Sequence, residues 1–156
     1  MPGPTQLGEG FRGTEGRVGY LLMQAYQAFA TAMEAALHEG GNLSRAQFGT
    51  LSVIVREPGL SSADLARAVL VTPQAINQLV ASLEASGLVE RRPHPSHGRI
   101  LQIHPTAEGI RRLEASYPVV TELEDRITAG LSDRKVIEVK RWLVDTARAM
   151  KATTEP

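Results

Sequence analysis

Between Arg17 and Glu39 the apolar residues Val18, Leu21, Leu22, Ala25, Phe29, Ala32, Met33 and Ala36 recur at three- and four-residue steps. That period predicts an amphipathic helix, which should end at the Gly40-Gly41 pair. Ser44 followed by Gln47 forms a capping box for a second helix carrying Phe48, Leu51, Val53 and Ile54, and Pro58-Gly59 forces a stop by Glu57. Leu60-Ser61 reads as a short extended link. Ser61 or Ser62 then caps a third, short helix with Leu65, Ala66 and Val69 inward and Asp64 in its first turn, where the helix dipole favours negative charge.

The sharpest local signal is Thr72-Pro73, a threonine suited to N-cap and a proline suited to the first helical position, where its missing N–H costs nothing. A fourth helix must begin there, with Ile76, Leu79, Val80 and Leu83 on one face and Gly87 just beyond its end. After Gly87 the period changes. Leu88–Arg92 and Arg99–Ile103 read as two strands around the polar tip Pro93-His94-Pro95-Ser96-His97-Gly98. Helical spacing returns from Thr106 with Ile110, Leu113, Tyr117, Val120, Leu123 and Ile127, with a bend expected at Pro118. A last helix starts at Ser132 and carries Val136, Val139, Leu143 and Met150. The expected class is mainly α with a small β-hairpin. Two short helices joined by about three residues make a helix-turn-helix, and a hairpin directly after it makes that a winged helix-turn-helix, at about residues 44–104. Helices at about 17–39 and 106–150 flank it, giving one domain over 17–150 between a flexible arm, 1–16, and a flexible tail, 151–156.

Composition narrows the chemistry. At 156 residues, 42% hydrophobic and 22% charged, the chain has the makeup of a folded protein. It has no cysteine, which closes thiol catalysis, disulfides and cysteine redox sensing. No apolar run approaches the roughly 20 residues that cross a bilayer, and the first residues lack a secretory pattern, so the expected location is cytoplasmic. Lys and Arg balance Asp and Glu at 17 each, which argues against a globally basic nucleic-acid binder. The balance is uneven, however. From Ser62 to Arg112 six arginines face four acidic residues, a net of +2.

In a winged helix the second helix of the pair enters the major groove and the hairpin reaches over the backbone. The outward positions Thr72, Gln74, Ala75, Asn77, Gln78 and Ser82 supply hydroxyls, amides and a methyl, the groups that read base edges, and Ser62 at the start of the third helix joins them. Arg91, Arg92, His97 and Arg99 supply the wing's side of the interface. These eleven residues are the candidate DNA contacts. A metal site at His94, His97 and His104 is not expected, because no further ligand completes it. No hydrolase, P-loop, zincin or dinucleotide motif is present, so neither an enzyme nor a cofactor is expected. The competing reading is a winged-helix module that assembles with an acidic protein partner and does not bind specific DNA.

The run LARAVLVTPQAINQLVASLEASGLVERR, continued by HGRILQIHPTAEG, resembles the MarR (multiple antibiotic resistance regulator) family of winged-helix repressors, with likeness from about Arg17 to Met150. The resemblance implies an obligate homodimer built from the first, fifth and sixth helices, bound to a pseudo-palindromic operator and released by a small-molecule ligand. Arg99 matches the arginine that the family inserts into the minor groove. Two departures stand out: His97 replaces the aspartate that usually precedes that arginine by two residues, which allows a mobile or pH-sensitive wing, and Gln78 and Ser82 stand where many members carry arginine. Family members commonly take aromatic acids or phenols, for which Tyr26, Phe48 and Tyr117 are the candidate lining residues here. Trp142 is expected in dimer or core packing.

Overall fold

The computed structural model describes residues 6–96 and 100–154, with the side chains of 153 and 154 excepted. Its contacts group into two compact units, residues 1–120 and 121–156. The elements run, after a short 3-10 turn at Gly10–Arg12, as α1 (Val18–Gly41), α2 (Arg45–Arg56), β1 (Leu60–Ser61), α3 (Ser62–Val69), α4 (Pro73–Ala85), β2 (Val89–Pro93), β3 (Leu101–Pro105), α5 (Ala107–Thr128) and α6 (Asp133–Thr154). The class is mainly α with a small antiparallel sheet.

Local chemistry sets most boundaries. Ser44 Oγ accepts from the Gln47 N–H at 3.1 Å while Gln47 Oε1 accepts from the Ser44 N–H at 3.0 Å, a complete capping box. For α3 the cap is Ser61, whose hydroxyl accepts from the Asp64 N–H, and Ser62 is the first helical residue. Thr72 Oγ1 accepts from the Ala75 N–H at the start of α4 with Pro73 at the first position. At its end Gly87 takes φ +69. Its N–H donates to the Glu84 carbonyl and that of Leu88 to the Leu83 carbonyl. This pair of bonds closes the helix by the left-handed glycine route.

Four details differ from the sequence pattern. First, α1 continues through Gly40 and Gly41, and its left-handed cap is Asn42 at φ 52. The glycines serve a close approach of α1 to α5 instead: a Cβ on Gly40 would lie 2.9 Å from Val119 Cγ2, and one on Gly41 would overlap Ser116 Oγ. Second, Leu60-Ser61 is a strand, pairing Leu60 with Ile103 and Ser61 with Gln102, so the hairpin is part of a three-stranded sheet in the order β1-β3-β2. Third, the first hairpin strand begins at Val89, one residue later than the apolar run suggests, because the Leu88 N–H is already used by the α4 cap and its carbonyl by the Thr106 N–H. Fourth, α6 extends over Lys151–Thr154, which the sequence assigns to a tail. The α5 helix runs on through Pro118.

The core of the first unit joins Leu51 and Ile54 of α2, Leu65 and Ala66 of α3, Ile76, Val80 and Leu83 of α4, Ile103 of β3 and Leu113 of α5. Burial of several such side chains, each contributing about 1.5–3 kcal/mol, holds α4 against α2 and α3 and leaves its opposite face outward. In α1 the buried set is Ala30, Met33, Leu37 and Gly41, whereas Val18, Leu22 and Met23 of the N-terminal half are exposed.

Candidate nucleic-acid interface

The outward face of α4 follows from its inward one. With Ile76, Val80 and Leu83 buried, Thr72, Gln74, Asn77, Gln78 and Ser82 are exposed and Ala75 is half-buried at the edge. The N-terminus of α4 is held by its own cap, so these side chains sit on a rigid element. Ser62 lies half-buried on α3. The turn between α3 and α4 is unusual in holding a leucine, Leu70, in the left-handed region at φ 57 with 73% of its surface exposed. The Val71 N–H donates back to the Ala66 carbonyl and closes that turn.

Ser82 does not stand alone on this face. Gln47 Nε2 donates to Ser82 Oγ at 3.0 Å, so the side chain that completes the α2 capping box also reaches the outward side of α4. The box itself is legible in the sequence, but the second use of its amide is not.

On the wing, Arg91 is half-buried, with its Nε 3.2 Å from Glu84 Oε2 in an ion pair whose N–H is not aimed at the oxygen. Arg92 pairs with Glu90 two residues away through both Nε and its terminal nitrogen. Farther along, Glu108 Oε1 receives the Arg111 terminal nitrogen at 2.7 Å and Arg112 Nε at 2.8 Å. Arg111 and then Arg112 hold the Glu108 carboxyl down to about 2, so it is ionised throughout the neutral range. The Ser61 hydroxyl, followed by Arg67, likewise holds Asp64 below the usual carboxylate value. Among the described residues of this stretch, Arg67, Arg91, Arg92, Arg111 and Arg112 each hold a carboxylate and are not presented as free cations. His94 Nδ1 accepts from the Ser96 N–H at 3.1 Å, and the His94 N–H donates to the Ile100 carbonyl across the hairpin. His97 and Arg99 lie outside the described residues. Among the described residues, no three of His, Asp and Glu converge as a metal site, and no helix is long and apolar enough to cross a membrane.

The aromatic candidates divide. Phe48 and Tyr117 meet edge to face with ring centroids 6.2 Å apart. Tyr26 instead meets Arg45, which donates to its hydroxyl at 3.2 Å and lies 5.6 Å from the ring centre. A cleft of about 780 Å³ opens between α1 and α2, lined among others by Gln27, Glu34, His38, Ser44, Arg45 and Gln47, and by none of the three aromatics. The Arg45 N–H donates to Glu34 Oε2 across it at 3.0 Å. Trp142, on α6, is 45% exposed.

A capped helix pair, a second helix with an anchored apolar face and a polar outer face, and an antiparallel hairpin behind it define a winged helix-turn-helix protein. The MarR family model matches residues 42–100. The HTH-type transcriptional repressor Rv2887 of Mycobacterium tuberculosis is 37% identical over 126 residues, covering 81% of this chain and 90% of its own. The crystal structure of M. tuberculosis MarR family protein Rv2887 in complex with p-aminosalicylic acid aligns at TM-score 0.64 and 34% identity, covering 85% of this chain and 99% of that one. The S. aureus MepR–DNA complex aligns at TM-score 0.78 over 85% of this chain and 98% of its own, with 22% identity, and so supports the fold alone. The chain belongs to the MarR family of transcriptional regulators.

Proposed function

We propose that the protein is a cytoplasmic homodimeric repressor that reads a pseudo-palindromic operator with α4 and is released from it by a small aromatic acid or phenol. The observation that carries this reading is the outer face of α4, where Thr72, Gln74, Asn77 and Gln78 stand exposed on a helix fixed from behind by three fully buried side chains. Asn and Gln amides suit adenine N6 and N7, and the Ala75 methyl suits thymine. Dimerisation is supported by the apolar residues left exposed on α1 and α6, among them Val18, Met23, Ile137 and Trp142. Effector control is supported by the cleft beside Arg45 and His38, whose N–H groups suit a carboxylate, and by the aromatic acid bound to Rv2887. An occupant would act by favouring a spacing of the two α4 helices that no longer matches successive major grooves.

A mobility shift on DNA selected by the protein tests this at two salt concentrations. Asn77→Ala should lose about tenfold or more on the preferred site and little on others. Arg99→Ala should weaken all sites alike and flatten the salt dependence by about one ion. Added aromatic acid should raise the protein needed for half-shift. Unchanged binding in both variants, or no shift below micromolar protein, contradicts the proposal.

A further inference from the structure

The hydrogen bond between Gln47 and Ser82 fixes a direction as well as a contact. A main-chain N–H can only donate, so the Gln47 atom facing the Ser44 N–H at 3.0 Å must be the carbonyl oxygen. The other end of the same amide is then NH₂, which can only donate, and it lies 3.0 Å from Ser82 Oγ. Ser82 therefore accepts. A serine hydroxyl has one hydrogen and two lone pairs; with a lone pair taken by Gln47, its hydrogen remains for another partner. Helical serines commonly return that hydrogen to the carbonyl four residues back. Ser52 does so to Phe48 at 2.7 Å and Ser116 to Arg112 at 2.9 Å. The described residues show no such return bond from Ser82, which is exposed on the same helix face as Gln78.

We infer that Gln47, a residue of α2, is a positioning residue for DNA reading: it sets the Ser82 hydroxyl as a hydrogen donor, so that Ser82 recognises an acceptor on DNA. This rests on the reading of α4 as the DNA-facing helix. Acceptors within its chemistry are a phosphate oxygen, guanine O6 or N7, adenine N7 and thymine O4, whereas the cytosine amino group is disfavoured. The arrangement also explains how a serine can hold a place in this interface without a cation: its polarity is imposed from a neighbouring helix whose own N-terminus is locked by the same side chain.

A double-mutant cycle on the selected DNA tests the inference, using the full chain as wild type, Gln47→Glu, Ser82→Ala and the double variant. Glutamate at this position still accepts the Ser44 N–H, so the melting temperature should hold. Its carboxylate has no hydrogen to give, and Ser82 must turn its own toward it. The added charge is present with and without Ser82 and cancels in the cycle. Ser82→Ala should weaken binding about threefold to tenfold. Gln47→Glu should cost more than that in the wild-type background, and in the Ser82→Ala background its loss should shrink by at least the Ser82 share, leaving only the effect of the added charge. Should Gln47→Glu melt early, Gln47→Ala replaces it, and its loss must likewise shrink when Ser82 is absent. A loss that vanishes on DNAs altered at one base pair identifies a base acceptor; an equal loss on all DNAs identifies a phosphate.

Losses that multiply in the double variant overturn the inference, as does wild-type binding by Ser82→Ala. A wild-type protein with no sequence preference would instead overturn the reading of α4 on which the inference rests.

Discussion

Arg91 and Arg92 are the arginines of β2, and both already hold a carboxylate, Glu84 and Glu90. The exposed Arg92–Glu90 pair contributes little, so a phosphate can displace its carboxylate, at the cost of the attraction that is given up. Glu90→Gln should therefore raise DNA affinity, by about two- to fivefold at low salt and less as salt screens the difference. Fluorescence anisotropy on a labelled operator checks this, and unchanged affinity at low salt would mean that Arg92 does not face phosphate. The charges are plain in the sequence, but their pairing is only partly so. Glu90 and Arg92 are two residues apart and Glu108 sits one turn from Arg111 and Arg112. Arg91, by contrast, finds its partner across the α4–β2 junction, and only the fold brings Glu84 to it. For the same reason the reach of Gln47 to Ser82, 35 residues away, has no signature in the sequence.

At the scale of the element, what is legible is what local chemistry decides. The capping box of α2, the Thr72-Pro73 start of α4 and the Gly87 stop each satisfy main-chain groups within a few residues, and each lies where the sequence places it. What is not legible depends on a distant partner. The two residues of β1 are too short for an alternating pattern and owe their strand character to β3. Leu70 gives no turn signal, being a leucine in a conformation that favours glycine. The Gly40-Gly41 pair gives a stop signal but serves helix contact. Gly41→Ala should accordingly destabilise the protein by about 1–3 kcal/mol through overlap with Ser116 and the Arg112 carbonyl. Thermal melting measures it. A midpoint equal to wild type would show that α1 and α5 can part there without cost.

For the whole molecule, a formal charge of zero is compatible with the proposed DNA reading because α4 offers amides and hydroxyls beside the cations of the wing. The proposed function rests its affinity on two reading heads on one DNA. In the proposed homodimer a second copy would add on the exposed apolar residues of α6, of which Trp142 is the largest. Trp142→Glu should shift the protein toward monomer in sedimentation velocity and reduce operator affinity with it, while the melting of the first unit is retained. A dimer of unchanged strength would place the interface elsewhere.

Selection of bound sequences from a random DNA pool by the wild-type protein decides whether it reads DNA as a two-headed repressor. Two half-sites related by a dyad should be enriched, with centres about 10 base pairs apart. A pool that stays random, or a single half-site with no dyad, would contradict it.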